Sequence, residues 1–216
     1  MAGPLEGIRV IEVASWMFVP SGGSVLVDWG AEVIKVEPLT GDPQRGLITS
    51  GLLPGGAGGV NFMVEQPHRG KRSIALDLSH PDGHEALMKL VETADVFLTN
   101  YLPQVRRKLK LDTDDIRARN PNIVIARGSG AGPKGPEAEK GGYDGASFWA
   151  RGGVGVTMPD RDGWPPGQPT PAFGDVMGGL TTAGAIAAAL FKRERTGETS
   201  VVDVSLLATA MWQISP

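Results

Sequence analysis

At 216 residues, 41% of them hydrophobic, the chain is long enough for one large domain or two small ones around a sizeable core. A formal charge of -3 and a mean hydropathy of -0.08 fit a soluble globular protein and argue against a general nucleic-acid surface. With no cysteine there is no disulfide frame, thiol nucleophile or thiolate metal site, and the expected setting is a reducing cytoplasm.

In chain order, no signal peptide precedes the apolar run at residues 8–14, which reads as a buried strand; residues 20–29 then read as a helix. Residues 32–37 supply a second strand and 73–78 a third. A helix follows from Ser79 to about Ala94, with Pro81 in its first turn. Residues 96–99 and 123–126 give the fourth and fifth strands, with helical turns at 103–109 and 114–120 between them. Residues 128–171 are rich in Gly and Pro and lack periodicity, which predicts a functional segment rather than a passive connection. Beyond them come a helix over about 175–194, a turn at 195–198, a strand at 200–205 and a last apolar helix from Leu206. That helix has no evident partner for its apolar face, so a further domain or another chain is expected to cover it. The longest apolar stretch, 178–191, reads as too short and too rich in Gly and Ala to span a bilayer.

Short apolar strands alternating with helices predict an α/β fold: a Rossmann-like parallel sheet with helices on both faces, filling residues 1–216 as one large domain. Ligands of such sheets collect beyond the carboxyl ends of the strands, here at residues 15–18, 38–45, 100–101 and 128–130. No Gly-x-Gly-x-x-Gly follows the first strand, which argues against a nicotinamide or flavin cofactor. His68, His80 and His84 form no credible metal cluster and read as surface or capping residues, so no metal is expected.

Asp175 stands in Pro171-Ala-Phe-Gly-Asp-Val-Met-Gly-Gly179, between the Pro/Gly-rich loop and the Ala-rich helix. A carboxylate at such a junction can face a cleft and attack a thioester, carrying an acyl group as a mixed anhydride. Taken alone, however, an Asp there is more simply the helix N-cap.

A set of ordered motifs reverses that weighting. Pro4-Leu-Glu-Gly-Ile-Arg-Val-Ile-Glu-Val13, Gly30-Ala-Glu-Val-Ile-Lys-Val-Glu37, Gly41-Asp42 and Gly70-Lys-Arg-Ser-Ile-Ala-Leu-Asp77 come first; Ala94-Asp-Val-Phe-Leu-Thr-Asn-Tyr101, Gly174-Asp175 and Arg195-Thr-Gly197 follow. Together they resemble the family III (CaiB/BaiF-type) CoA-transferases over essentially the whole chain. The resemblance implies CoA transfer between carboxylic acids through aspartyl-acyl anhydride and aspartyl-CoA thioester intermediates, with Asp175 matching the nucleophile. It also implies an interlocked homodimer, acyl-CoA and a carboxylic acid as substrates, and no tightly bound cofactor. Family chains are about twice as long, so the match is to their N-terminal half; the smaller second domain is expected elsewhere, and this segment alone is expected to be inactive.

The family includes α-methylacyl-CoA racemases, whose Gly-His-Asp segment supplies a His acid/base. The matching residues here are Gly142-Tyr143-Asp144. Formyl-CoA transferases carry Tyr and an acidic residue at this point. A Tyr with a normal pKa of about 10 is a poor proton acceptor at neutral pH, which favours transferase over racemase. A non-catalytic CoA-binding domain is the third reading, and Tyr143 could equally be a packed aromatic.

CoA needs cations for its phosphates and an apolar channel for its pantetheine arm. Lys71 and Arg72, just before a strand, could be such cations or simply a solvated turn. Leu76, Asp77, Leu78 and Ser79 match the family's adenine side, while Asn100, Tyr101 and Leu102 follow the fourth strand, where ligand contact is expected. Lys108, ending the cationic run from Arg106, falls where the family commonly has a phosphate-binding Arg; a solvated helix surface would look the same. Met17 and Phe18 replace a common Gln-Ala, and Pro38 replaces the Arg that some of these transferases stack on adenine, with Arg45 the candidate substitute. Lys140, Tyr143 and Asp144 lie in the Gly-rich segment and could close over the thioester.

Overall fold

The computed structural model describes residues 2–52, 57–158 and 168–215; the remainder of the long 128–171 segment, residues 159–167, lies outside the described residues. Six strands are present: β1 (Arg9–Val13), β2 (Glu32–Glu37), β3 (Arg72–Ala75), β4 (Val96–Thr99), β5 (Val124–Ser129) and β6 (Val201–Ser205). They form one all-parallel sheet in the order β3-β2-β1-β4-β5-β6. Central β4 reads Val-Phe-Leu-Thr and is buried throughout, because a parallel strand covered on both faces needs apolar residues at successive positions. Edge strand β3 is exposed along its length.

Among the described residues there are eight α-helices: α1 (Phe18–Asp28), α2 (Gly46–Thr49), α3 (Phe62–His68), α4 (Pro81–Glu92), α5 (Pro103–Leu109), α6 (Thr113–Arg119), α7 (Phe173–Thr196) and α8 (Leu206–Gln213). One core cluster joins Leu26 of α1, Ile186 and Leu190 of α7 and Ala210 of α8 to Val10, Leu98 and Val124. The other joins Leu87 and Val91 of α4 and Ile116 of α6 to Ile11, Phe97 and Ile125. Alternate strand residues thus feed opposite cores, as the two-residue strand period dictates. The strand order turns back between β1 and β4, which opens a crevice beyond their carboxyl ends.

Helices α1 and α7 cross through glycine. A Cβ on Gly179 would lie 2.7 Å from Ser21 Cβ and 2.8 Å from the Phe18 carbonyl oxygen, closer than any side chain tolerates. The Gly178-Gly179 pair costs helix propensity, and the close α1 contact is what it allows.

The structure adjusts several expectations. Strand β3 stops at Ala75, and Asp77 Oδ1 then accepts the Ser79 N–H at 2.9 Å, an Asx turn that ends extended pairing. Helix α3 was not foreseen, nor was a π-helix at Asp144–Arg151 within the Gly-rich segment. His80 caps α4, its Nδ1 accepting the Asp82 N–H, but the His68 side chain is 9% exposed rather than a surface group. Helix α7 extends the apolar run at 178–191 to 24 residues, long and apolar enough to cross a membrane by length and composition alone. In this fold Ala183, Ile186 and Leu190 of that helix are core residues.

Candidate active site

Helix α7 begins at an N-cap Ala172 in the left-handed region (φ 60°), with Asp175 in the first turn. Asp175 is therefore not the N-cap, and the capping alternative does not hold. Gly174 before it is required by packing, since a Cβ there would collide with the Phe148 ring and Asp144 Oδ1. Beneath this turn Phe148, Trp149 and Phe173 pack at centroid distances of 5.8 to 6.4 Å and fix where it sits.

Asp175 lines a cavity of about 370 Å³ in the β1/β4 crevice. Burial, and secondarily the charge of Asp144, push its carboxyl up to about 7. The helix N-terminus favours the ionised form, but dehydration wins. Asp144 opens the π-helix and is 6% exposed. Its Oδ2 accepts the Trp149 indole N–H at 3.1 Å, while Oδ1 has no hydrogen-bond partner among the described residues. Burial raises the Asp144 pKa as well; the indole and the nearby N–H groups of Gly174 and Asp175 offset this in part. A buried carboxyl and a half-buried one thus share a site with no cation among the described residues.

The cavity floor and one wall come from the strand ends. Asn100 clamps the loop after β1, its Oδ1 accepting the Ser15 N–H at 3.0 Å and its Nδ2 donating to the Ser15 carbonyl at 2.6 Å. Asp42 Oδ1 accepts the Trp16 N–H at 3.1 Å. Between these clamps Trp16 sits at φ 69°, a conformation that costs a bulky residue about 1–3 kcal/mol. Its ring meets Tyr143 edge-on, with centroids 5.7 Å apart. Tyr143 is 62% exposed, so it is not a buried packed aromatic.

Of the residues singled out from sequence, Phe18, Asn100, Tyr101, Leu102, Tyr143 and Asp175 line this cavity. Leu76, Asp77, Leu78 and Ser79 line a second hollow of about 300 Å³, with Tyr101 and Pro38 on its rim. Lys140 is exposed beside cavity residue Gly141 and lies 3.6 Å from Glu137. Lys108 is exposed at the end of α5, next to Leu109 of the second hollow. Met17 is buried and lines neither space.

Lys71 does not reach a cavity. Its ammonium donates to Glu12 Oε2 at 2.6 Å and the Pro20 carbonyl at 2.7 Å, and its side chain is 2% exposed. The buried carboxylate of Glu12 on β1 requires internal cations, and Lys35 is the second at 3.3 Å. Arg72 pairs with Glu32 at 2.6 Å while remaining 72% exposed. Arg45 is held by both oxygens of Glu37, through its Nε and Nη2 donors. Trp16 and Ser129 on the main cavity wall fall within the strand-end loops flagged from sequence, whereas Val105 on the same wall was not foreseen. Position just after a central strand was the signal for Trp16.

An Asp half-ionised near neutrality, dehydrated and facing a mostly apolar cavity, can act as nucleophile or base. The model of CoA-transferase family III matches residues 5–216. The chain is 36% identical over 209 residues to (R)-2-hydroxy-4-methylpentanoate CoA-transferase of Clostridioides difficile, covering 96% of this chain and 52% of that protein. It is 35% identical over 207 residues to cinnamoyl-CoA:phenyllactate CoA-transferase of Clostridium sporogenes, covering 96% and 50%. A crystal structure of Rv3272 from Mycobacterium tuberculosis matches with a TM-score of 0.87 at 34% identity, covering 99% of this chain and 56% of that one. The chain spans about half the length of the curated relatives it matches.

Proposed function

The chain belongs to CoA-transferase family III, and on that premise we propose that the full-length protein moves CoA from an acyl-CoA donor to a carboxylic acid, with Asp175 as covalent carrier. The Asp175 carboxylate attacks the thioester carbonyl; the C–S bond breaks and CoA thiolate leaves, giving a mixed anhydride. The thiolate then attacks the Asp175 carbonyl, releasing the donor acid and leaving aspartyl-CoA thioester. The acceptor carboxylate attacks that thioester, and the freed thiolate takes the new acyl group, regenerating Asp175. Every step exchanges one acyl bond for another, so no oxidant, metal or tightly bound cofactor enters.

The observation that carries this reading is the Asp175 carboxyl on the cavity wall with its pKa pushed up to about 7. Dehydration that hinders ionisation also leaves the ionised oxygen poorly solvated and more reactive. Tyr143 at the cavity, rather than a His, supports transfer over racemisation and a formyl-CoA transferase-like subtype. Tyr143 would close over the reacting thioester, and buried Asp144 would act through its charge on Asp175. The hollow at Leu76–Ser79 would take the adenine end, with Lys108, Lys140 and exposed Arg72 available to phosphate. A homodimer completed by a smaller domain, working in the cytoplasm and without a membrane span, is part of the same proposal.

The test is hydroxylamine trapping on the full-length protein incubated with acyl-CoA donors. A hydroxamate on Asp175, found by peptide mass spectrometry and absent without donor, is expected; modification confined to another residue would falsify the assignment.

A further inference from the structure

Trp16 is held in a conformation that its own side chain disfavours. The left-handed φ of 69° suits glycine, yet the fold places the largest side chain there and clamps it from both sides. Asp42 fixes its N–H, and Asn100 fixes both backbone groups of Ser15 before it. Strain that is so heavily over-determined belongs at places where a side chain must be aimed. The indole is aimed at the wall of the Asp175 cavity, where it meets the Tyr143 ring at an interplanar angle of 88°.

The chemistry of that wall is one-sided. Trp16, Phe18, Leu102, Val105 and Tyr143 supply aromatic and aliphatic surface, and no Lys, Arg or His lines the cavity among the described residues. A second carboxylate on a substrate would find no cation there, whereas an apolar group would bury surface against the indole.

We propose that Trp16 is a specificity-determining residue, its clamped indole forming with Tyr143 an aromatic wall that admits an apolar acyl group to Asp175 and limits its bulk. This rests on the CoA-transfer reading above. Rings as rigid as these discriminate by size because they cannot fold away as a Leu or Met side chain would, and the hydrogen bonds to Ser15 and Trp16 prevent the backbone from retreating.

The experiment uses the full-length protein, wild type and the variants Trp16→Ala and Trp16→Phe. Each is assayed with one fixed acceptor and acetyl-, butyryl-, hexanoyl- and phenylacetyl-CoA as donors. Enlarging the wall by Trp16→Ala is expected to raise the hexanoyl-to-acetyl ratio of kcat/KM by about tenfold, with Trp16→Phe between it and wild type. Where Trp16→Ala does not fold, the Phe variant alone carries the test, with a smaller shift in the same direction. A uniform change across all donors, or no change, overturns the inference, because a merely structural role affects every donor alike. Hydroxylamine trapping runs in parallel. Wild type trapped on Asp175 with unmoved selectivity sinks the Trp16 wall alone, whereas wild type trapped elsewhere sinks the Asp175 reading and this inference with it.

Discussion

Two groups of buried or half-buried carboxylates in this fold have opposite surroundings. Glu12 and Asp42 face cations: Lys35 lies 3.3 Å from one and 2.9 Å from the other, and Lys71 lies 2.6 Å from Glu12. Burial alone would lower the Lys35 pKa, but these two carboxylates outweigh it and raise it. Asp144 and Asp175 have no such partners among the described residues; burial raises both carboxyls from their ordinary values, and the charge of Asp144 adds to the rise at Asp175. The matched group holds the β1 loop in place; the unmatched pair stores the dehydration that chemistry can use. Charge compensation, rather than burial, separates framework from reactive centre.

The largest effect expected from breaking this contrast is on turnover. Asp175→Asn is predicted to lower CoA transfer by about 10⁴-fold or more, read from steady-state rates of the full-length protein. The same change should stabilise the fold. The carboxyl titrates at 3.8 when unfolded and about 7 when folded. The native state therefore binds more protons between those values, and Asp175 makes the protein progressively less stable as pH rises through that window. Relative to wild type, Asp175→Asn should gain stability on the order of 1–3 kcal/mol above about pH 7 and gain little near pH 4, by denaturant melts. A stability loss at high pH would contradict the unmatched pair.

Removing one partner of the matched group acts on folding first. Lys35→Met leaves Glu12 and Asp42 short of a buried cation and is expected to cost about 3–5 kcal/mol, again by denaturant unfolding. A third change tunes the site. Wild-type transfer should rise with pH through about 7 as Asp175 ionises. Asp144→Asn removes the lesser cause of the shift, so the midpoint of the pH–rate profile should fall while staying above the ordinary carboxylate range, because burial remains. An unmoved midpoint would show that the two carboxyls do not interact. The smallest effect belongs to the surface. Arg72→Ala should change stability by no more than about 0.5 kcal/mol, since the Arg72–Glu32 pair is largely solvated and Glu32 keeps Arg9.

Much of the framework was legible from sequence because it follows simple periods. β2 and β4 occupy the residues their apolar runs predict, and α7 follows from its long Ala-rich stretch. Helix α3 was hidden because Pro67 lies inside it and only Met63 and Pro67 are buried, too few for a stripe. The Asp144–Arg151 π-helix has a period other than 3.6, so its buried Phe148 and Trp149 fall outside the usual pattern. At the site, residues next to strand ends were found by position, and Lys71 was misjudged for a clear reason. Two adjacent cations before a strand look solvated, and nothing local reveals that Glu12, distant in sequence, has already claimed one of them. The strain at Trp16, though not its place after a strand, escaped because backbone conformation leaves no mark in residue identity.

Tyr101 lines the main cavity, the Leu76–Ser79 hollow and a third hollow of about 220 Å³ bounded by Pro103, Arg127 and Asp203. Its amide is anchored to Thr99 Oγ1 at 3.1 Å and its carbonyl to Arg106 at 2.8 Å, so the phenol turns on a fixed pivot. A long, flexible molecule threading any two of these hollows must bend past that one post. Fragments mimicking its head and tail would consequently bind non-additively, and drift at this single position would retune both ends together.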